Sequence, residues 1–149
     1  MISLTKMKNS VFLDSNVYIA GLGSQTGASA EILTLGEKKI FNLIICPLVI
    51  EEIERNVKRK LSHALPYLSL ALEKLNLKVV KQPARQDRKL SGLFPKHTDR
   101  IIFETCQKVL PDYFVSLNRK HFHTNKVKSL AKFKVLTPAE FLAVLRKDT

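Results

Sequence analysis

The chain has 149 residues, 45% of them hydrophobic, with five glycines, six prolines and two cysteines, which excludes disordered, collagen-like and low-complexity chains and predicts a single domain over residues 1–149. Its longest apolar run, Leu43 to Ile50, is broken by Pro47 and too short to cross a bilayer, the N-terminus carries charge but no apolar secretory core, and Cys46 and Cys106 lack metal-ligand spacing. A reduced, cytoplasmic protein without membrane association is expected, and 25 Lys and Arg against 13 Asp and Glu, a formal net charge of +12, point to a polyanionic partner.

Ser10-Val-Phe-Leu-Asp14 is a short apolar run closed by polar residues and predicts a buried strand, followed by a turn through Asn16 and a Gly/Ser/Thr loop from Gly21 to Gly27. Ala28, Ala30, Ile32, Leu33 and Leu35 predict a helix stopping at Gly36, and Leu43-Ile-Ile-Cys46 a second strand. After Pro47, the residues Ile50, Ile53, Val57 and Leu61 recur at helical spacing and end in a basic tail. Leu65, Leu68, Leu72 and Leu75 mark a third helix with Pro66 in its first turn. Leu77-Lys-Val-Val80 is a third strand, near an edge because Lys78 and Lys81 flank its apolar residues. The Pro-containing basic stretch from Gln82 to Lys96 reads as a mobile or substrate-facing loop. Thr98 is the predicted N-cap of a helix bearing Ile102, Phe103, Cys106, Val109 and Leu110, closed by Pro111. Tyr113 to Leu117 and Phe133 to Leu136 are the fourth and fifth strands, and Thr137-Pro138 opens a last helix. Strands separated by helices predict a mainly parallel sheet covered on both faces.

The positive charge has an address. Residues 1–76 hold 9 basic and 7 acidic residues, whereas residues 77–149 hold 16 and 6, and no acid stands between Tyr113 and Ala139. Such a block is the electrostatic footprint of a nucleic-acid binder, because each neutralised phosphate releases condensed counterion; the plainer alternative is that the charge keeps the chain soluble.

In open parallel sheets ligands bind outside the carboxyl ends of the strands. Asp14 ends the first strand there, Asn118 follows the fourth, and Asp99 opens the helix after the basic loop. Counting by three and four from Asp99 reaches Ile102, Phe103 and Cys106, so its carboxylate lies on the buried stripe of its helix. Singly, Asp99 also reads as a first-turn acid favoured by the helix dipole, and Asp14 as an Asx-turn residue. Together they predict carboxylates converging at one sheet edge, where mutual repulsion calls for a cation, Mg²⁺ or Mn²⁺ by donor type. A further acid should come from Glu51, Glu52 or Glu54, among which helical periodicity does not choose. His121 and His123 alternate as metal ligands on a strand would, but with no third soft ligand nearby they read as loop residues or phosphate contacts.

These stretches resemble, in order, the motifs of PIN domains. Val11-Phe-Leu-Asp14-Ser-Asn16 is similar to the opening motif, Cys46 to Arg55 to the second, Thr98 to Cys106 to the third, Tyr113 to Phe122 to the fourth, and Val135 to Leu142 to the closing strand and helix. The resemblance implies a three-layer α/β/α sandwich around a sheet of about five strands. It also implies divalent-metal-dependent endoribonuclease activity of the kind found in toxins of toxin–antitoxin pairs, with RNA as substrate, an antitoxin as partner and a homodimer as assembly. Its register selects Glu52, making Asp14, Glu52 and Asp99 metal ligands, with Asn118 where the family carries a fourth acid. Ser116 would hydrogen-bond a metal ligand or an RNA phosphate, and Arg119, Lys120, Lys96 and Arg100 would hold flanking phosphates of the RNA. The alternative implied by Asn118 is a catalytically weakened RNA- or protein-binding module.

Overall fold

The computed structural model describes residues 8–84 and 88–147; residues 85–87 of the predicted loop lie outside the described residues. Five strands, β1 (Ser10–Leu13), β2 (Asn42–Ile45), β3 (Lys78–Val79), β4 (Tyr113–Val115) and β5 (Lys134–Leu136), form one sheet in the order β3-β2-β1-β4-β5, and every pairing is parallel. From β1 the chain steps outward to β2 and β3, then crosses back to place β4 on the other side of β1. Right-handed crossovers therefore put α1 (Ser15–Leu22), α2 (Ala28–Glu37), α3 (Pro47–Lys60) and α4 (Leu68–Lys74) on one face, and α5 (His97–Val109), α6 (Arg119–Phe122) and α7 (Asn125–Leu130) on the other. α8 (Pro138–Lys147) returns to pack against α2, β4 and β5, completing three layers. The predicted α/β sandwich is the observed one, with the sheet wholly parallel.

The central strand is apolar from its second residue on because both its faces are covered: Val11, Phe12 and Leu13 are fully buried. β3 is one of the two edge strands, and its two residues are exposed. Several boundaries differ from the sequence reading. The turn after Asp14 is the helix α1. At eight residues it is too short to show a period, and Gly21 within it reads as a breaker. Gly21 instead lets α1 touch α2, since a Cβ there would lie 2.5 Å from Leu33 Cδ1 and 2.9 Å from the Ser29 carbonyl oxygen. The predicted third helix is split by Pro66 into a 3-10 turn over Ser62–Tyr67 and α4. α3 buries Val49, Ile53 and Val57, one residue off the predicted stripe at its start. Thr98 is not the cap of α5; Lys96 stands there in extended conformation.

The stretch before α5 is anchored rather than loose from Leu90 onward. Phe94 is fully buried, 5.1 Å from the Phe103 ring of α5 and 5.2 Å from the Phe122 ring of α6, while Phe122 also meets Phe114 of β4 at 4.7 Å. These rings join the loop, α5, α6 and β4 into one apolar body. The basic segment after β4, read as loop, holds the short helices α6 and α7, capped by the side chains of Asn118 and Thr124.

Candidate active site

The strand order reverses at β1, so a crevice opens between the carboxyl ends of β1 and β4, the place where open α/β sheets bind ligands. Asp14 lies at this seam. Its backbone N–H donates to the Val115 carbonyl at 2.9 Å, extending the β1–β4 ladder by one bond. Its carboxylate accepts from the Ser15 N–H at 2.9 Å, from Asn16 Nδ2 at 3.2 Å and from the Ser116 hydroxyl at 2.8 Å. Ser116 Oγ in turn accepts from the Asn118 N–H at 3.0 Å, and Asn16 Oδ1 accepts from the Leu117 N–H at 3.1 Å. Asn16 thus clamps the ends of two neighbouring strands, a role unassigned in the sequence reading although the residue stands in the first motif.

Glu52 and Asp99 face the same crevice from α3 and α5, on opposite faces of the sheet. Of the three acids at the start of α3, Glu51 and Glu54 are exposed and Glu52 is partly buried. Burial pushes the Asp14 carboxyl up to about 6 against the opposing pull of its Ser116 bond, and repulsion from Asp99 adds to the rise. Glu52 is pushed up to about 7, first by burial and then by the charges of Asp14 and Asp99. Asp99 is raised by burial, with His121 and Lys96 pulling the other way. Three carboxylates therefore feel one another across the seam. Two of their oxygens, Glu52 Oε1 and Asp99 Oδ2, are buried without a hydrogen-bond partner. Among the described residues, no three His, Cys, Asp or Glu side chains stand close enough as placed to enclose an ion.

The remaining predicted residues divide. Lys96, Arg119 and Lys120 are exposed at the rim. Arg100 does not project to the rim as a phosphate contact: its Nε donates to the Phe94 carbonyl at 2.7 Å and its Nη2 to the Pro95 carbonyl at 2.8 Å, fastening the loop to α5. Ser116 is fully buried and its hydroxyl donates to Asp14, so of its two expected partners it meets the carboxylate. Asn118 turns its Oδ1 to the His121 N–H at 3.1 Å, capping α6. The two histidines that the sequence reads as loop residues or phosphate contacts make side-chain contacts beside the site. His121 Nδ1 lies 3.4 Å from Asp99 Oδ2 and 3.4 Å from Asn118 Nδ2. His123 Nε2 lies 2.7 Å from the Ser116 carbonyl, which can only accept, so this nitrogen carries the proton. A four-residue helix has no period to reveal, which is why α6 and its histidines read as loop.

No curated protein sequence matches the chain. Among solved structures it is similar to VapBC2 from Rickettsia felis bound to a DNA fragment from their promoter, with a TM-score of 0.64 and 17% identity over 86% of this chain and 98% of that one. A family model for the PIN domain matches residues 10–120. Since that match runs from the first residue of β1 into α6 and takes in Asp14, Glu52, Asp99 and Asn118, the chain belongs to the PIN domain family.

Proposed function

We propose that the chain is a divalent-cation-dependent endoribonuclease. The observation that carries the reading is the convergence of Asp14, Glu52 and Asp99 at the switch point of the sheet, with two buried carboxylate oxygens unpartnered. Buried acids that repel one another, two of them with an oxygen left without a donor, fit a hard cation, Mg²⁺ or Mn²⁺, held partly through water. Asp14, Glu52 and Asp99 would hold it; when bound, it supplies Lewis acidity at the scissile phosphate and acidifies water.

The chain's own groups do the rest. Ser116, Asn16 and the Ser15 N–H fix the rotamer of Asp14. Glu52 would orient the attacking water by accepting its hydrogen bond. Lys96, Arg119 and Lys120 hold flanking phosphates as positional contacts that read no base. The reading is tested by incubating single-stranded RNA with the protein and Mn²⁺ or Mg²⁺, with and without chelator, beside Asp14→Asn and Asp99→Asn. Chelator-sensitive cleavage lost in both variants is the expected result; cleavage that survives either variant overturns the assignment.

A second reading, a binding module of weakened catalysis, is favoured by one observation: Asn118 brings no charge to the fourth position, and its oxygen already caps α6. Salt-sensitive RNA binding without cleavage would select it. The proposed partners, a second copy and an antitoxin segment, have apolar surface available at Tyr67 and Leu70, 69% and 53% exposed, and light scattering of the isolated chain decides the first. Among the described residues no helix is long and apolar enough to cross a membrane, and a cytoplasmic location is part of the proposal.

A further inference from the structure

Ser116 stands one residue beyond the end of β4, where the β4–β5 ladder runs out. In a parallel pair the strands donate to each other in turn. After the Ser116 N–H, which donates to the Leu136 carbonyl at 3.1 Å, the next rung would run back from the N–H of residue 138 to the Ser116 carbonyl. Residue 138 is a proline and has no N–H to give. Pro138 suits its own place as the first residue of α8, where no donor is needed, but it leaves the carbonyl of a fully buried residue without its strand partner. His123, which closes α6, supplies the missing donor: its Nε2 lies 2.7 Å from the Ser116 carbonyl oxygen. Its other nitrogen, Nδ1, is buried with no hydrogen-bond partner among the described residues. A ring with one stranded nitrogen is tolerated where the other nitrogen satisfies a carbonyl that an apolar side chain would leave stranded.

The same peptide unit is held from both sides. Its carbonyl accepts from His123, and its N–H, that of Leu117, donates to Asn16 Oδ1 at 3.1 Å. Because the unit is planar, a carbonyl that swings free takes the N–H with it. Two donors of Asp14 hang on this plane: the Ser116 hydroxyl at 2.8 Å and Asn16 Nδ2 at 3.2 Å. We propose that His123 is a positioning residue for Asp14, acting through Ser116 as a side-chain substitute for the rung that Pro138 cannot form. Its bearing on catalysis rests on the nuclease reading, to which it adds a group that touches neither cation nor RNA and still fixes the geometry of the first carboxylate.

Three measurements on the full chain test the clasp. In chelator, the ¹⁵N shifts of the wild-type His123 ring should report a proton on Nε2; a proton on Nδ1 alone would overturn the proposal without any substitution. Amide exchange followed by NMR should find Leu117 and Asn118 protected in wild type and in His123→Gln, whose amide nitrogen stands as many bonds from the backbone as Nε2 does. Both should lose protection in His123→Leu. The Asp14 N–H, bonded to the Val115 carbonyl at 2.9 Å, should stay protected in all three and shows that the seam has folded. Protection of Leu117 and Asn118 that survives His123→Leu overturns the proposal. With Mn²⁺ and single-stranded RNA, His123→Leu should lower kcat about tenfold with KM kept within about twofold, and His123→Gln should recover most of the loss. A raised KM at unchanged kcat would mean that His123 only fastens the loop carrying Arg119 and Lys120, and would overturn its role toward Asp14. If wild type cleaves no RNA with either cation, the proposed function falls, while the ring shifts and the exchange rates still decide the clasp.

Discussion

Ser116 spends one hydroxyl on three neighbours: it donates to Asp14 and accepts from the Asn118 N–H and from Asn16 Nδ2. Removing it takes the shorter of two donors from a buried carboxylate oxygen and leaves the Asn118 N–H without its acceptor, so Ser116→Ala should cost about 1–3 kcal/mol in chemical denaturation. Asp14 and Glu52 bind their protons more tightly in the fold than in the unfolded chain, with values near 6 and 7 against ordinary values of 3.8 and 4.5. Groups raised in this way contribute stability that is complete below their unfolded values and lost as pH rises through the folded ones. In chelator, their share of stability should therefore decline between about pH 4 and 7. Asp14→Asn should flatten that slope in urea titrations, and an unchanged slope would contradict the burial and repulsion assigned to Asp14. At this scale the sequence showed Asp14 and Asp99 through their places at a strand end and on a helical stripe. Period alone could not separate Glu52 from Glu51 and Glu54, because Glu51 and Glu52 flank the apolar stripe at similar angles; the register of the family resemblance chose Glu52, and it is the partly buried one of the three.

The elements that position these side chains depend on a few close fits. The α1–α2 contact at Gly21 has no room for a methyl group, since two of its nearest neighbours lie in the packed wall of α2. Gly21→Ala should lose about 1–3 kcal/mol by overpacking, and because α1 carries the Ser15 and Asn16 contacts to Asp14, cation affinity should fall with it. Phe94 ties the pre-α5 loop to Phe103 and Phe122, and Phe94→Ala should cost about 3–5 kcal/mol. Before α8, Thr137 and Glu140 form a reciprocal capping box, with bonds of 2.8 and 3.2 Å, which the Thr137-Pro138 start already announced. Strands and long helices were legible because apolar runs and 3.6-residue periods repeat within them. α1, α6 and α7 were not, being one or two turns long and held by caps and tertiary rings rather than by a stripe of their own.

Across the whole molecule the acids and bases separate: the carboxylates sit inside the seam while Lys96, Arg119 and Lys120 stand exposed at its rim. RNA affinity should accordingly fall steeply with salt, and each of Arg119→Ala and Lys120→Ala should reduce the slope of log K against log salt by about 0.7 for a lost single-strand phosphate contact. Equal slopes in wild type and variants would place the RNA elsewhere. The seam itself also sets an order of events during synthesis. Val11 pairs with Tyr113, and Asp14 takes its hydroxyl from a residue 102 positions later. Contacts so remote in the chain close late, after the local helices and the β1–β2 pair. A nascent chain halted after residue 110 already carries Asp14, Glu52 and Asp99 but has no strand to hold them against, and should gain no thermal stability from Mn²⁺. On the proposed nuclease reading, the site would assemble only once β4 has emerged, so the unfinished polypeptide would not cleave RNA.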